Sequence, residues 1–283
     1  HVLASSIEDN LEPTIDNIQS SLKLSDKELT KMIVRTPELL THKMSAENIK
    51  QRFSFLQEVL DLPEGDVASL RKYTMRRPDI LVWREDSMKE SQQWVKQRFV
   101  LGDARVAQMC RNMPHLLYAN TTTLSNKAES IQTALSLDDE ELSNLVSKFP
   151  SILFYSIEEN LRPKLRYIRT RFELDEEALK NLVLKATSLF AYSDATIEKK
   201  LQFYCNLVGE REAKRMAVKS SNLLKQSLKK RLKPRLEEIQ KSGVKVRWTE
   251  TLMRRLAIRT NNQWERYKLG DAPRGGAAKP KEQ

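Results

Sequence analysis

The side chains of this chain with the clearest chemical potential are its lysines and arginines. The 283 residues carry 49 Lys and Arg against 38 Asp and Glu, a formal net charge of +11. Most of this excess falls in residues 200–268, which hold 19 basic and 6 acidic side chains, and residues 213–236 contain no acid. Solvated helix faces usually alternate bases with acids. An uninterrupted basic run instead favours contact with a polyanion such as nucleic acid.

Residue types that support catalysis or metal binding are sparse. The two cysteines, Cys110 and Cys205, lie 95 positions apart, and the three histidines are scattered. The sequence has no glycine-rich phosphate loop, no GxSxG and no HExxH. We therefore expect a binding protein and not an enzyme, with no catalytic residue, no metal and no cofactor. Apolar runs are too short and too often interrupted by charge to span a membrane, so no membrane partner is expected.

The elements that carry these charges are predicted to be helices in a repeat. With only 7 Gly and 10 Pro, the composition favours an all-α fold. Four segments share the pattern Pro-x-Leu/Ile-Leu at spacings of 41, 36 and 36 residues, and two further copies follow at 37 and 34 with a hydroxyl residue in place of proline. We call these six segments stations; they begin at Pro37, Pro78, Pro114, Pro150, Thr187 and Ser221.

Each repeat is predicted to contain a helix, a proline break and a second helix. A proline cannot donate an intrahelical hydrogen bond and disfavours helix at the residue before it. The apolar pair after the proline is expected to anchor the turn in the core. Acidic residues suitable for a helix start, as in the Ser25–Glu28 capping box, follow a Leu/Phe-x-Leu pair in several units. Stacked units of this kind form an α-solenoid, here with about six or seven repeats.

The repeat resembles one known family. The stations, the run Asn160–Leu165 and the closing motif Ser227–Leu236 are similar to segments of the mitochondrial transcription termination factor (mTERF) family, over a span from Ile7 to about Tyr267. The resemblance implies units of two α-helices and a short 3₁₀ turn in a curved superhelix, residence in mitochondria or chloroplasts, and nucleic-acid binding along a basic concave groove. Several members bind duplex DNA and act in termination or regulation of organelle transcription; others act on organelle RNA or ribosome assembly. Prolines are missing at Thr187 and Ser221, which puts the geometry of those two units in question.

The resemblance and the composition together predict the organisation of the chain. Residues 1–268 are expected to form a single mTERF-type helical-repeat domain, with Thr260 as the N-cap of its closing helix, and residues 269–283 a flexible tail. The start of the chain has no Arg/Ser-rich presequence pattern. Localisation in an organelle therefore rests on the resemblance.

Two columns of basic residues recur at fixed positions in the repeat and are the candidate nucleic-acid-binding residues. The first lies two residues before each station, or beside that position in the third unit: Arg35, Arg76, Arg111, Lys148, Lys185 and Lys219. The second aligns with Lys164 and includes Arg52, Lys127, Lys164, Lys200 and Arg235, alongside Thr14 and Ser91. Lys229 and Arg231 of the acid-free run complete the set. Helix ends favour cations through the helix dipole alone, which offers a competing explanation for the first column.

The sequence is compatible with three functions. The first is a monomeric double-stranded-DNA-binding protein that regulates or terminates organelle transcription. The second is a binder of structured organelle RNA, such as ribosomal RNA, or a recruiter of an RNA-modifying enzyme. The third, a protein-binding scaffold, agrees poorly with the acid-free run. Aromatic residues near the stations could stack on unpaired bases, but the sequence singles out none of them: Tyr73, Trp83, Tyr118, Phe154, Tyr155 and Tyr192.

Overall fold

The fold class predicted from the sequence, an all-α helical repeat, is confirmed. The computed structural model describes residues 10–42, 44–243 and 246–268, and these residues form α-helices, short 3₁₀ turns and π turns with no β-strand among them. The predicted tail, residues 269–283, lies outside the described residues. The chain packs as two compact units, one of residues 1–133 and 137–154 and the other of residues 134–136 and 155–283.

Unit 1 contains the first four stations and repeats one arrangement of helix, helix and 3₁₀ turn. The second helix of each repeat is 10 residues long, and a turn of 4 or 5 residues follows it. The helices are α1 (Glu12–Leu22), α2 (Asp26–Arg35), α3 (Ala46–Val59), α4 (Val67–Arg76), α5 (Glu85–Arg98), α6 (Asp103–Asn112), α7 (Thr121–Leu135) and α8 (Asp139–Lys148). The 3₁₀ turns are Pro37–Thr41, Pro78–Leu81, Pro114–Leu117 and Pro150–Phe154.

Unit 2 continues the same arrangement. The fifth station forms the 3₁₀ turn Thr187–Ala191, whereas the sixth forms a single α-helical turn, Asn222–Lys225. Two π turns, Ile157–Leu161 and Leu228–Leu232, lead directly into the α-helices that begin at Arg162 and Lys233. The helices are α9 (Arg162–Phe172), α10 (Glu176–Lys185), α11 (Asp194–Val208), α12 (Glu210–Lys219), α13 (Asn222–Lys225), α14 (Lys233–Lys241), α15 (Glu250–Ile258) and α16 (Asn261–Lys268).

The stations are buried anchors, as the repeat predicts. The residue before each proline leaves the helical region, for example Arg77 at φ −141° and ψ 77°, and the next turn closes with a hydrogen bond from the Ile80 amide to the Arg77 carbonyl. Both apolar residues of the second, third and fourth stations are at most 5% exposed. Leu40, in the first station, is the half-buried exception.

The two stations without proline keep the same backbone geometry at their entry. Ala186 has φ −130° and ψ 46°, and Ser220 has φ −127° and ψ 71°, close to the values before the true prolines. The buried pairs, Leu189 with Phe190 and Leu223 with Leu224, are in place. Burial of the apolar pair therefore holds this turn even without the conformational restriction of proline.

The link between the two helices of a repeat contains a feature that the sequence pattern does not reveal. The middle residue of the Leu/Phe-x-Leu pair adopts a left-handed conformation in five repeats, although none of the five is glycine. In each case the following amide bonds a carbonyl five residues earlier, as in Leu24 to Gln19, which is the Schellman arrangement. The five residues are Lys23, Asp61, Val100, Ser136 and Glu173, with φ between 48° and 57°.

Two predicted helix N-caps are present in the structure. The capping box of Ser25 and Glu28 is present. Thr260 caps α16, since its hydroxyl accepts from the Gln263 amide at 3.2 Å and its amide donates to the Gln263 side chain at 3.0 Å. The prediction of one continuous domain over residues 1–268 stays a prediction; repeats contact mainly their neighbours, so compact units within such an array are expected.

Candidate nucleic-acid interface

The first basic column lies at the carboxyl ends of the second helices. Each of its members is in the last turn of its helix, directly before a station turn. Five of the six side chains belong to exposed residues, and Arg111 is half-buried. Cations at this position are stabilised by the negative end of the helix dipole. The column therefore places positive charge in solvent at a fixed site in successive repeats of each unit.

The members of this column differ in how far their charge is already neutralised. Arg76, Lys148 and Lys185 form no ion pair with any other residue that the structure describes, and Arg35 donates only a long 3.4 Å hydrogen bond to the Met75 carbonyl. Lys219, in contrast, lies 2.9 Å from a carboxylate oxygen of Glu250.

Arg111, in the third repeat, is held by the preceding helix link. Its Nη1 donates to the backbone carbonyls of Leu60 and Asp61 and lies 3.8 Å from an Asp61 carboxylate oxygen. This side chain connects two repeats of unit 1. Phosphate contact by Arg111 would have to compete with these bonds, so we give it less weight than the four exposed cations without ion pairs.

The second basic column has a different role from the one predicted. Arg52, Lys200 and Arg235 are only 7%, 5% and 3% exposed, and their charged groups donate to backbone carbonyls of the next turn or helix. In unit 1, Nη2 of Arg52 lies 2.5 Å from the Ile80 oxygen and 2.6 Å from the Trp83 oxygen, and Nη1 lies 3.1 Å from Glu85.

The same arrangement recurs in unit 2. Nζ of Lys200 lies 2.7 Å from the Leu224 carbonyl oxygen, and Nη1 of Arg235 lies 2.8 Å from that of Leu256. Burial lowers the pKa of Lys200 and of both buried arginines. A phosphate would reach these groups only by removing them from acceptors that would then be left unsatisfied, which is costly in a low-dielectric interior.

Lys164 and the two uncharged members of the second column also bond a neighbouring repeat. Nζ of Lys164 lies 2.7 Å from the Tyr192 carbonyl oxygen and also bonds Asp194. The two uncharged members bond the backbone of the next repeat in unit 1: the Ser91 hydroxyl donates to the Ala119 carbonyl at 3.1 Å, whereas the Thr14 hydroxyl accepts from the Met44 amide at 3.2 Å. Lys127 is half-buried and already has a partner. We correct the prediction for four members of this column: Arg52, Lys164, Lys200 and Arg235 link successive repeats by bonding backbone carbonyls. Phosphate contact by Lys127 stays a prediction.

The acid-free run contributes exposed charge in unit 2. Lys229 is exposed on the π turn Leu228–Leu232, and Arg231 is half-buried with Nη1 2.6 Å from the Gln226 side-chain oxygen. Lys229 thus remains available to an anion, while Arg231 is partly engaged within its own turn.

Sequence reasoning missed the importance of Arg77, which organises a cluster of rings in unit 1. Its guanidinium bonds Asp79 through two nitrogens at 2.6 and 3.1 Å, which raises the pKa of Arg77. The same group lies 5.5 Å from the Trp83 ring and 5.6 Å from the Tyr118 ring. Arg77 stands directly before a station proline and two residues before Asp79, but no other station is preceded by an arginine, so the repeat pattern gave no signal for it.

A histidine and a further ring extend this cluster. Nη1 of Arg77 lies 2.9 Å from Nε2 of His115, and because a guanidinium only donates, Nε2 must accept. Burial lowers the pKa of His115, and the nearby charge of Arg77 lowers it further. The His115 ring also lies 5.9 Å from that of Phe154. Of the other aromatic candidates, Tyr73 is buried, with its hydroxyl 2.9 Å from the Cys110 carbonyl oxygen.

Neither a metal centre nor a membrane span is found in the described part of the chain. No group of three or more His, Cys, Asp or Glu residues there is arranged to hold a metal ion. None of the helices described is long and apolar enough to cross a membrane.

Comparison with known proteins identifies the family. No curated protein matches the chain significantly. A family model described as mTERF, however, matches residues 1–179, which is more than half of the 283 residues. The matched part includes the first four stations, their buried apolar pairs and the exposed cations Arg35, Arg76 and Lys148. The chain therefore belongs to the mTERF family.

Proposed function

We propose that this protein binds double-stranded DNA in an organelle, a mitochondrion or a chloroplast, and regulates or terminates transcription there. Membership of the mTERF family suggests a nucleic-acid-binding, transcription-related organellar function. Duplex DNA as the target, and termination as the outcome, are our proposals. The activity proposed is binding, with no chemical step.

The observation that carries this proposal is the set of exposed cations without ion pairs in the first column. Arg35, Arg76, Lys148 and Lys185 all stand in the last turn of a second helix, so each repeat presents its charge in the same local setting. Duplex DNA presents phosphates at regular intervals, and phosphate contacts need little beyond well-placed cationic donors. These contacts provide affinity and register, while sequence preference requires contacts of another kind.

The excess charge of residues 200–268 supports the same reading. Within the described residues of that segment, Lys229, Lys233 and Arg254 are exposed and form no ion pair. Such a local excess raises the concentration of a polyanion near the surface and speeds association at low salt.

The experiment compares a column variant with a charge-matched control. The column variant changes Arg76, Lys148 and Lys185 to Gln, and the control changes Lys27, Lys50 and Lys72, which are exposed and lie outside both columns and outside residues 200–268. Affinity for a duplex DNA is measured between 50 and 200 mM salt. Loss of three phosphate contacts should make the slope of log affinity against log salt shallower by about 2.7.

Two outcomes would contradict the proposal. Equal effects of the two triple variants would mean that only net charge matters. The second check is competition for the protein between the labelled DNA duplex and double-stranded or single-stranded RNA. A hundredfold preference for RNA would contradict duplex DNA as the target and support the alternative, structured RNA. Gln retains good helix propensity, so both variants should fold, which circular dichroism verifies.

A further inference from the structure

We propose that Glu250 is an internal competitor of nucleic-acid phosphate at Lys219, the last member of the first basic column. Its carboxylate holds this cation in unit 2, so that Lys219 reaches a phosphate only when the ion pair opens. This inference rests on the proposed function, because it concerns how one cation of the proposed interface is regulated.

The place of Lys219 in its repeat is the first observation. It stands in the last turn of α12, as Arg76, Lys148 and Lys185 stand in the last turns of their own helices. Those three cations form no ion pair with any other residue that the structure describes. Nζ of Lys219 lies 2.9 Å from Oε2 of Glu250, although Lys219 is exposed as they are. The local setting is the same, and Glu250 makes the difference.

Glu250 is held in this place by its own helix. It is the first residue of α15, where the helix dipole favours a negative charge, and the Thr249 hydroxyl caps this helix by accepting from the Leu252 amide at 3.3 Å. The acid at the start of α6, in contrast, pairs with the helix directly before it: Asp103 lies 2.6 Å from Lys96. Glu250 instead reaches back to α12, and its side chain is only 20% exposed.

The same carboxylate oxygen lies near a second cation. Oε2 of Glu250 is 3.8 Å from Nη2 of Arg215, which lies one turn before Lys219 on α12 and also pairs with Glu212 at 2.5 Å. The side chains of Arg215 and Lys219 are 55% and 62% exposed. A phosphate oxygen placed between these two cationic donors would make the same contacts. The acid-free run of the sequence is thus partly neutralised by acids from outside it.

The ion pair is weak enough to open in the presence of a polyanion. Lys219 is in contact with water, and ion pairs of this kind contribute little, because solvent screens them and a long side chain must be ordered. A phosphate contact to duplex DNA also releases condensed counterions, and this gain increases as the salt concentration falls. Glu250 is therefore expected to lower the affinity and its salt dependence without abolishing binding.

A double-mutant cycle tests the proposal. Glu250→Gln frees Lys219 and should make the slope of log affinity against log salt steeper by about 0.9 for duplex DNA. The gain in affinity over wild type should therefore be about threefold larger at 50 mM than at 200 mM salt. Lys219→Gln alone should leave the slope unchanged, and the double variant should lose the gain seen with E250Q.

Two controls exclude simpler explanations. Glu237→Gln removes an exposed acid of α14 that forms no ion pair with other described residues, so it measures the effect of net charge alone. Its effect should be smaller than that of E250Q and should not depend on Lys219. Thermal melting shows whether α15 stays packed; E250Q should melt close to wild type, whereas loss of a merely structural contact would lower the melting temperature and give no gain in binding.

The outcomes separate this inference from the proposed function. Equal gains with E237Q and E250Q, or a gain with E250Q that persists without Lys219, would overturn the inference and leave duplex binding intact. The same cycle is run with double-stranded RNA. A gain on RNA that depends on Lys219, without binding to duplex DNA, would overturn DNA as the target and keep the role of Glu250. No gain on either polymer would overturn that role.

Discussion

The ammonium group of Lys200 lies 2.7 Å from the carbonyl oxygen of Leu224, inside unit 2. A basic residue that the repeat suggests as a phosphate contact is thus a buried bond between α11 and the next turn. The Tyr192 ring, 3.6 Å from the same nitrogen, covers the charge from another side. This pair illustrates the role of the buried cations in the second column: a side chain from the first helix of one repeat donates a hydrogen bond to a backbone carbonyl of the next repeat.

Replacing Lys200 by Met should therefore destabilise the protein without a specific effect on nucleic-acid binding. The variant leaves a buried carbonyl oxygen without its donor, at a cost of about 1–3 kcal/mol. Lys199→Met, at an exposed neighbouring position on α11, is the matched control and should change the free energy of unfolding little. Urea denaturation measures both. A stable K200M protein with a salt slope reduced by about 0.9 would instead identify Lys200 as a phosphate contact.

The station leucines should behave as core residues. Leu153 is 1% exposed in the turn Pro150–Phe154, so Leu153→Ala removes buried methyl groups and is expected to cost about 2–5 kcal/mol. Leu40 occupies the equivalent place in the first station but is half-buried, and Leu40→Ala should cost clearly less. Thermal and urea unfolding provide the comparison. An unchanged midpoint for L153A would show that the buried pair does not anchor its turn.

Val100 offers a stabilising substitution. Its backbone is left-handed at φ 49°, a region that a β-branched residue disfavours, and its side chain is 91% exposed and contributes little packing. Val100→Asn should stabilise the protein by about 0.5–1 kcal/mol, because Asn tolerates this conformation better. Val34→Asn is the control: this valine is 74% exposed but lies within α2, where no left-handed strain exists to be relieved. Equal effects at the two sites would contradict the explanation.

The capping box of α2 predicts a measurable acid titration. The backbone N–H of Ser25 and, next, the guanidinium of Arg71 bond the Glu28 carboxylate and lower its pKa from 4.5 to about 2. Since the unfolded chain binds this proton more readily, the contribution of Glu28 to stability is present above pH 4.5 and is lost as the pH falls toward 2.

The pH dependence of the Glu28 carboxyl carbon shift in an NMR titration measures this pKa directly. Arg71→Gln should raise the pKa only part of the way to 4.5, because the larger contribution of the Ser25 amide remains. A wild-type titration near 4.5 would show that the capping box and the ion pair to Arg71 do not form in solution.

The sequence by itself determined the helical class, the repeat and the buried stations of this protein. These features depend on local interactions. Proline disfavours helix at the residue before it, and an apolar pair that recurs at the same position of every repeat is buried in a shared core. The excess positive charge of residues 200–268 follows directly from composition. The left-handed links stayed hidden, since Val100 and its equivalents lack the glycine that signals them.

Only the tertiary structure decided which cations face solvent. Arg76 and Lys200 both occupy a position that recurs in the repeat, and the sequence makes both columns candidates for phosphate contact. Their difference depends on the carbonyl of Leu224, 24 residues beyond Lys200, and on the station turns that bring such carbonyls within reach of the preceding helix. The cluster around Arg77 arises in the same way, from His115 and Tyr118 at separations of 38 and 41 residues. Periodicity fixes the position of a side chain within its repeat, but the packing of neighbouring repeats determines whether its charge is buried or free.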